Sequence, residues 1–109
     1  MPAKGQNRCL VRGEEFIFLI EETYERVNDL KSLLKEKGAE SLIPEERDIT
    51  AGTRREQLDE ASRWLFLLTN TLKENFAGAL SQAESHRIAL AQKVRRMLER
   101  ALRAEEFPE

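Results

Sequence analysis

The residues that break helices are few in this chain, and they leave long stretches between them. Proline occurs only at positions 2, 44 and 108, and glycine only at positions 5, 13, 38, 52 and 78. These two residue types interrupt regular secondary structure more strongly than any others. The stretches 14–37, 53–76 and 81–104 can therefore each form a continuous element. The chain therefore favours a few long elements over many short ones.

The apolar composition decides which kind of element these stretches form. The 109 residues include 15 leucines and 11 alanines, but only 3 valines and 5 isoleucines. Leucine and alanine favour helices, whereas β-branched residues favour strands. We therefore predict an all-α fold, either a three-helix bundle or a long helical hairpin with one more helix packed against it. We expect a single helical domain at 13–107, preceded by a flexible basic N-terminal tail at 1–12.

The first stretch, 14–37, has the spacing of an amphipathic helix. Apolar residues recur every three or four positions, and the glutamates of its first turn and the lysines of its last suit the helix dipole. Gly38 follows at the position where a glycine commonly ends a helix. The predicted core stripe consists of Phe16, Leu19, Ile20, Thr23, Tyr24, Val27, Leu30, Leu33 and Leu34.

The second stretch, 53–76, opens with the pattern of a capping box, in which Thr53 is followed three residues later by Glu56. Apolar residues then alternate steps of three and four, which is a heptad seam. Trp64 and Leu67 broaden this stripe. The seam consists of Leu58, Ala61, Leu65, Leu68 and Leu72.

The third stretch, 81–104, begins with a second box-like pattern, Ser81 followed by Glu84. Its apolar series is one residue out of step with the seam of the second stretch, which predicts a break near 75–81. One bent helix remains the alternative, because a single glycine costs only about 1 kcal/mol in a helix. The predicted third seam is Leu80, Ala83, Leu90, Val94, Met97, Ala101 and Ala104.

Two aromatic residues, Phe18 and Phe66, lie among charged residues on the polar sides of the first two helices. Their position favours helices that are buried on two sides, as in a dimeric bundle with a shared core. The alternative is that each aromatic is locally exposed or covered by a loop. An antiparallel pairing of the first two helices would set Tyr24 opposite Phe66. The residues predicted to form an oligomer or partner interface are Phe16, Phe18, Tyr24, Trp64, Phe66 and Leu67.

The formal net charge of −2 conceals an uneven distribution of charge. The third stretch holds six bases and two acids, whereas 13–37 holds four bases and seven acids. At about 100° per residue, four of these bases fall within about 80° of one another on one side of the third helix. This basic stripe consists of Lys93, Arg96, Arg100 and Arg103.

Three interpretations of the basic stripe remain open. It is a solvated face with some ion pairing, a surface for an acidic protein partner, or a surface for the phosphates of a nucleic acid. The near-neutral net charge and the lack of a known reading motif disfavour the nucleic acid.

The sequence offers no catalytic or metal-binding constellation. It contains one histidine, His86, and one cysteine, Cys9, so we expect neither a zinc site nor a Cys–His nucleophile pair of any usual kind. Adjacent acid pairs such as Glu21–Glu22 point to different sides of a helix. We therefore expect no cofactor, no metal and no enzymatic activity.

The chain also contains no candidate for a membrane span. Its longest apolar runs are five residues, Phe16–Ile20 and Trp64–Leu68, far below the roughly 18 residues that a span requires. Residues 1–13 have no apolar core of a signal peptide. We therefore expect a cytoplasmic protein that does not contact membranes.

These observations lead to two functional hypotheses. The first is a small intracellular interaction or scaffold protein of the adaptor type, acting through helix–helix contacts as a homo-oligomer, with a dimer favoured. The second is a small nucleic-acid-binding subunit that uses the basic stripe.

Overall fold

A computed structural model describes residues 13–106 of the chain, and within that range it contains three α-helices and no strand. Helix α1 spans Gly13–Glu36, α2 spans Arg54–Phe76 and α3 spans Gln82–Glu106. One turn of 3₁₀ helix, Glu40–Leu42, follows α1. The predicted all-α fold of three packed helices is confirmed. The basic tail at 1–12 and Cys9 lie outside the described residues.

Both predicted capping boxes are present. At the start of α2, the Glu56 amide donates to Thr53 Oγ1 at 3.1 Å, and the Thr53 amide donates to Glu56 Oε1 at 2.8 Å. At the start of α3, the same two hydrogen bonds join Ser81 and Glu84 at 3.1 and 2.9 Å. Each box satisfies two amides that a helix start leaves without a partner.

Glycines with positive φ follow the ends of α1 and α2. Gly38 has φ +72°, and the Ala39 amide donates to the Leu34 carbonyl at 2.8 Å, which is the hydrogen bond of a Schellman motif. Gly78 has φ +80° between α2 and α3. The chain therefore turns at 77–81 and does not continue as one bent helix.

Helices α1 and α2 run parallel, because ring contacts join the start, middle and end of one to the start, middle and end of the other. These contacts are Arg54 guanidinium to the Phe16 ring at 5.1 Å, the Tyr24 ring to the Trp64 ring at 6.0 Å, and Lys37 Nζ to the Phe76 ring at 5.3 Å. The expected antiparallel pairing, with Tyr24 opposite Phe66, is wrong.

The connection between α1 and α2 explains this direction. A helix of 24 residues is about 36 Å long, and the eleven residues 43–53 span about 36 Å when extended at about 3.3 Å each. The connection therefore returns along the whole bundle, and fully buried Ile49 anchors it to the core. Ion pairs of Glu46 with Lys31 and of Arg47 with Glu60 tie it to α1 and α2.

Helix α3 runs antiparallel to the other two and packs against both. Lys37 Nζ at the end of α1 lies 3.1 Å from Glu84 Oε1 in the first turn of α3. One turn further along α3, Arg87 contacts Asp29 of α1 at 2.7 Å. These two charged pairs hold the C-terminal part of α1 against the N-terminal part of α3.

The core face of α3 differs from the predicted seam. Leu90 and Ala83 are exposed, whereas Ile88 and Leu98, which the seam omitted, are buried. The heptad pattern describes a helix that packs against one neighbour, but α3 packs against two and buries a wider arc. The buried apolar residues of α3 are Ile88, Ala91, Val94, Leu98 and Ala101.

Candidate interaction surface

The residues predicted as an interface divide into three groups by exposure. Trp64 is fully buried inside the single chain, so it belongs to the core and is not a surface for a partner. Phe16, Tyr24 and Leu67 are half-buried against the core or the connection. Only two of the predicted interface residues are exposed, Phe18 (48%) and Phe66 (44%).

Phe66 is 44% exposed, but a cation of the same chain lies over its ring. The Arg95 guanidinium of α3 lies 4.7 Å from the centre of the Phe66 ring, within the range of a cation–π contact. Arg95 in turn pairs with Glu99 at 3.0 Å. Phe66 therefore has a partner within the chain and helps to join α2 to α3.

Phe18 lies at the mouth of an open groove between α1 and α3. The groove has a volume of about 320 Å³. Ile17, the next residue of α1, is 57% exposed, and Leu90 of α3 is 36% exposed. The groove is lined by Phe18, Glu22, Arg26, Leu90, Lys93, Val94 and Met97. We call it the α1–α3 groove.

The groove arises because α3 turns a different face to the core from the one that the sequence pattern predicts. The sequence pattern assigns Leu90 and Met97 to the core seam, but the buried arc of α3 is centred near Ala91 and Leu98, which are fully buried. At about 100° per residue, Leu90 and Met97 stand at the edge of that arc, on the side of α1. Leu90 is thus exposed and Met97 is half-buried in the groove that Phe18 borders.

Charged side chains flank the apolar lining. Arg26 lies within the groove, and its buried Nε has no hydrogen-bond partner among the described residues. Glu22 Oε1 is 3.9 Å from this nitrogen, too far for a hydrogen bond. Lys93 borders the groove on the α3 side. The groove thus has an apolar centre, an acid and a base of α1 (Glu22 and Arg26) on one edge, and a base of α3 (Lys93) on the other.

The basic stripe lies on the outer side of α3 and is unpaired. At about 100° per residue, Arg96 and Arg100 are about 160° from Leu98, the buried centre of the helix. All four side chains are exposed, and no ion pair or hydrogen bond joins any of them to another side chain in the described range. The bases that do pair, Arg87 and Arg95, lie nearer to the core.

The acids of α1 are only partly neutralised within the chain. Asp29 and Glu36 contact Arg87 at 2.7 and 3.3 Å. Arg26 lies 3.9 Å from both Glu22 and Glu25, which leaves these pairs weak. Glu15 and Glu21 are exposed and have no ion pair with any other described side chain. The N-terminal half of α1 therefore presents negative charge beside the groove.

A second concavity of about 350 Å³ lies where the connection crosses α2. Apart from exposed Glu45, its carboxylates already have partners, since Glu60 binds Arg47 at 2.6 Å and Glu46 binds Lys31. The Thr50 hydroxyl and amide donate to Asp48 at 2.6 and 2.9 Å, and these hydrogen bonds lower the pKa of Asp48. This surface therefore serves the local structure of the connection.

Other kinds of site find no support in the described residues. No group of three or more His, Cys, Asp or Glu side chains in 13–106 could hold a metal ion. His86 is exposed on α3. Among the described helices, none combines the length and apolar character that crossing a bilayer requires.

The α1–α3 groove is therefore the surface that stands out by its chemistry.

Comparison with known proteins adds no relative, since no family model, curated protein or solved structure matches the chain.

Proposed function

We propose that the protein is an adaptor-type interaction module that works through helix–helix contacts as a homodimer, with the α1–α3 groove as its contact surface. The observation that carries this proposal is the exposure of Phe18 and Leu90 on the two sides of one groove. A small domain that leaves such apolar side chains together at its surface gains stability when another helix covers them.

The composition of the groove supports a protein partner. Interfaces commonly combine a central apolar or aromatic contact with a charged rim. Phe18 and Met97 supply the apolar centre, and Glu22 and Lys93 supply the rim. A methionine is also common at such surfaces, because its flexible side chain adapts to the shape of a partner.

The two exposed phenylalanines provide a matched test of this proposal. Phe18 and Phe66 have similar exposure, but only Phe66 is covered by a cation of its own chain. Analytical ultracentrifugation over a micromolar concentration series should show that the parent protein dimerises. Phe18→Ala should raise the dissociation constant by about tenfold or more, as expected for an aromatic anchor, whereas Phe66→Ala should leave it nearly unchanged. A parent that is monomeric throughout, or equal effects of both variants, would contradict the proposal.

A second candidate function rests on the basic stripe. Lys93, Arg96, Arg100 and Arg103 are exposed without a described partner, and such a row can replace the counterions of a phosphate backbone. We propose as the alternative a nucleic-acid-binding subunit that uses this stripe.

Binding of fluorescent RNA and DNA at two salt concentrations tests this alternative. The stripe predicts binding that weakens steeply with salt, and a large loss of affinity in the double variant Arg96→Ala/Arg100→Ala. A control variant, Arg63→Ala, removes a base that pairs with Asp59 on α2 at 3.2 Å and should bind like the parent. An absence of binding at low salt rules the alternative out.

A further inference from the structure

We infer that the occupant of the α1–α3 groove is a second copy of the chain, related to the first by a two-fold axis that runs parallel to the helices. In this arrangement α1 of each copy lies over α3 of the other. The inference rests on the proposed homodimer and adds the face, the direction and the charges that define it.

The first step is the register of α1 against α3 within one chain. Arg87 contacts Asp29 at 2.7 Å, which sets these residues at the same height along the bundle. The helices are antiparallel, and seven residues make about two turns. Glu22 is therefore level with Val94, and Glu15 is level with Ala101.

The second step is the position of the charges at those heights. Lys93 and Arg100 immediately precede Val94 and Ala101, so they stand level with Glu22 and Glu15 respectively. At about 100° per residue, Lys93 lies about 60° around α3 from Leu90, and Arg100 lies about 60° from Met97. Both bases are on the side of the basic stripe that is nearer to the groove. Glu22 and Lys93 thus lie on opposite edges of the groove, and Glu15 and Arg100 lie about two turns further along the same half of the bundle.

The third step is the choice of axis. A dimer that buries the groove face to face has a two-fold axis within the interface plane, either across the helices or along them. An axis across the helices sets α1 on α1 and α3 on α3. From Gly13 to Arg26 every charged residue of α1 except Arg26 is an acid, and the stripe of α3 consists of bases, so this axis brings mostly like charges together. An axis along the helices sets α1 on α3 and preserves height, so Glu22 faces Lys93 of the second copy and Glu15 faces its Arg100. Charge complementarity therefore selects the axis along the helices.

The apolar residues agree with the same arrangement. Phe18 is eleven residues before Asp29, which sets it level with Leu98 and next to Met97, a residue that lines the groove. The two-fold axis along the helices sets Phe18 of one copy over Met97 of the other copy at the same height. The dimer would contain two such contacts between a Phe18 ring and a Met97 thioether, one on each side of the axis.

Charge reversal tests this arrangement. One variant, Glu15→Lys/Glu22→Lys, sets bases of α1 against the bases of α3. The other variant, Lys93→Glu/Arg100→Glu, sets acids of α3 against Glu15 and Glu22 of α1. Sedimentation velocity should show that each variant alone is monomeric at concentrations where the parent dimerises. An equimolar mixture should form a heterodimer, because every facing pair is then of opposite charge. Circular dichroism of each variant establishes that the helices remain folded.

A control with the same change in net charge as the first variant is Glu40→Lys/Glu45→Lys, since Glu40 in the 3₁₀ turn and Glu45 in the connection are both exposed and neither lines the groove. This variant should dimerise like the parent and should not pair with either reversed variant. Variants that dimerise alone, or a mixture that stays monomeric, would overturn the proposed arrangement. If Phe18→Ala still abolished dimerisation, the groove would remain the interface with a different axis. A monomeric parent would overturn the proposed function as well.

Discussion

The guanidinium of Arg87 on α3 holds the carboxylate of Asp29 on α1 through two hydrogen bonds to the same oxygen, from Nη2 at 2.7 Å and from Nε at 3.0 Å. Nη2 also donates to the main-chain carbonyl of Asp29 at 3.2 Å, and Nη1 reaches Glu36 at 3.3 Å. The hydrogen bonds to Asp29, with a smaller contribution from Glu36, raise the pKa of Arg87. This half-buried cluster sets the register between the first and last helices.

Removal of the Arg87 side chain should therefore destabilise the bundle. We expect Arg87→Ala to lower the free energy of unfolding by about 1–2 kcal/mol, because a charge-assisted hydrogen-bond network is lost at a partly solvated site. Arg87→Lys should recover only part of this, since lysine cannot form the paired bonds. Urea denaturation followed by circular dichroism measures both changes.

Arg96→Ala is the matched control for this prediction. Arg96 is an exposed arginine of the same helix with no partner in the described range, and its loss should change stability by less than about 0.5 kcal/mol. Equal effects of Arg87→Ala and Arg96→Ala would show that the network adds nothing.

Trp64 should be essential for its volume rather than for its indole nitrogen. Its side chain is fully buried, and its Nε1 has no hydrogen-bond partner among the described residues. We expect Trp64→Ala to cost about 3–5 kcal/mol, as for other large core residues, and Trp64→Phe to cost clearly less. Thermal and urea unfolding of both variants compare the two costs. A loss in Trp64→Phe as large as in Trp64→Ala would point to a hidden polar role of the indole.

Substitution of Gly38 should lower the free energy of unfolding because of its backbone conformation and not because of steric crowding. It has φ +72°, and a Cβ added there would meet no atom within 4 Å. We expect Gly38→Ala to cost about 1–2 kcal/mol, the penalty of a left-handed conformation for an alanine. Gly13→Ala is the control, since Gly13 begins α1 without positive φ and its added Cβ would make an ordinary contact. This control should be neutral or stabilise the fold by up to about 1 kcal/mol.

The contacts of the Glu84 carboxylate with the Ser81 amide and with Lys37 should make the stability of the bundle depend on pH. The Ser81 amide, followed by Lys37, lowers the pKa of Glu84 below its ordinary value of 4.5. A carboxylate with a lowered folded pKa stabilises the fold fully above its unfolded pKa and loses that contribution as the pH falls through the folded value. The contribution of Glu84 is thus complete at neutral pH and declines below about pH 4.5.

The substitution Glu84→Gln isolates this effect, because glutamine can still accept the hydrogen bond of the capping box. The parent should be more stable than the variant at neutral pH, and the difference should shrink as the pH falls below 4.5. A difference that stays constant down to acid pH would exclude a role of the charge. Glu74→Gln, at an exposed position of α2, provides the control for loss of a carboxylate.

Features that depend on neighbouring residues could be predicted from the sequence. The two capping boxes, the glycine that ends α1 and the core seam of α2 all follow from spacings of three or four residues, and each is present in the structure. Such features need only the geometry of one helix, which does not change with its surroundings.

Features that depend on how helices meet could not be predicted in the same way. The direction of α2 against α1 depends on the path of the connection, and most connections between helices are short. The core face of α3 depends on its contact with two neighbours, which a heptad pattern does not reveal. The cation over Phe66 and the unpaired state of the basic stripe also depend on this packing. Of the predicted interface, the exposure of Phe18 agrees with its place among charged residues, whereas Trp64 lies in the core.

The path of the connection should depend on one buried side chain. Ile49 is fully buried, whereas Leu42, the last residue of the 3₁₀ turn just before the connection, is 41% exposed. We expect Ile49→Ala to lower stability by about 2–4 kcal/mol through the loss of buried apolar volume, and Leu42→Ala to change it little. Limited proteolysis should cut within 43–53 faster in Ile49→Ala than in the parent or in Leu42→Ala, at a denaturant-free condition where circular dichroism shows all three helices intact. Equal cleavage rates in the two variants would contradict a connection held along the parallel helices by Ile49.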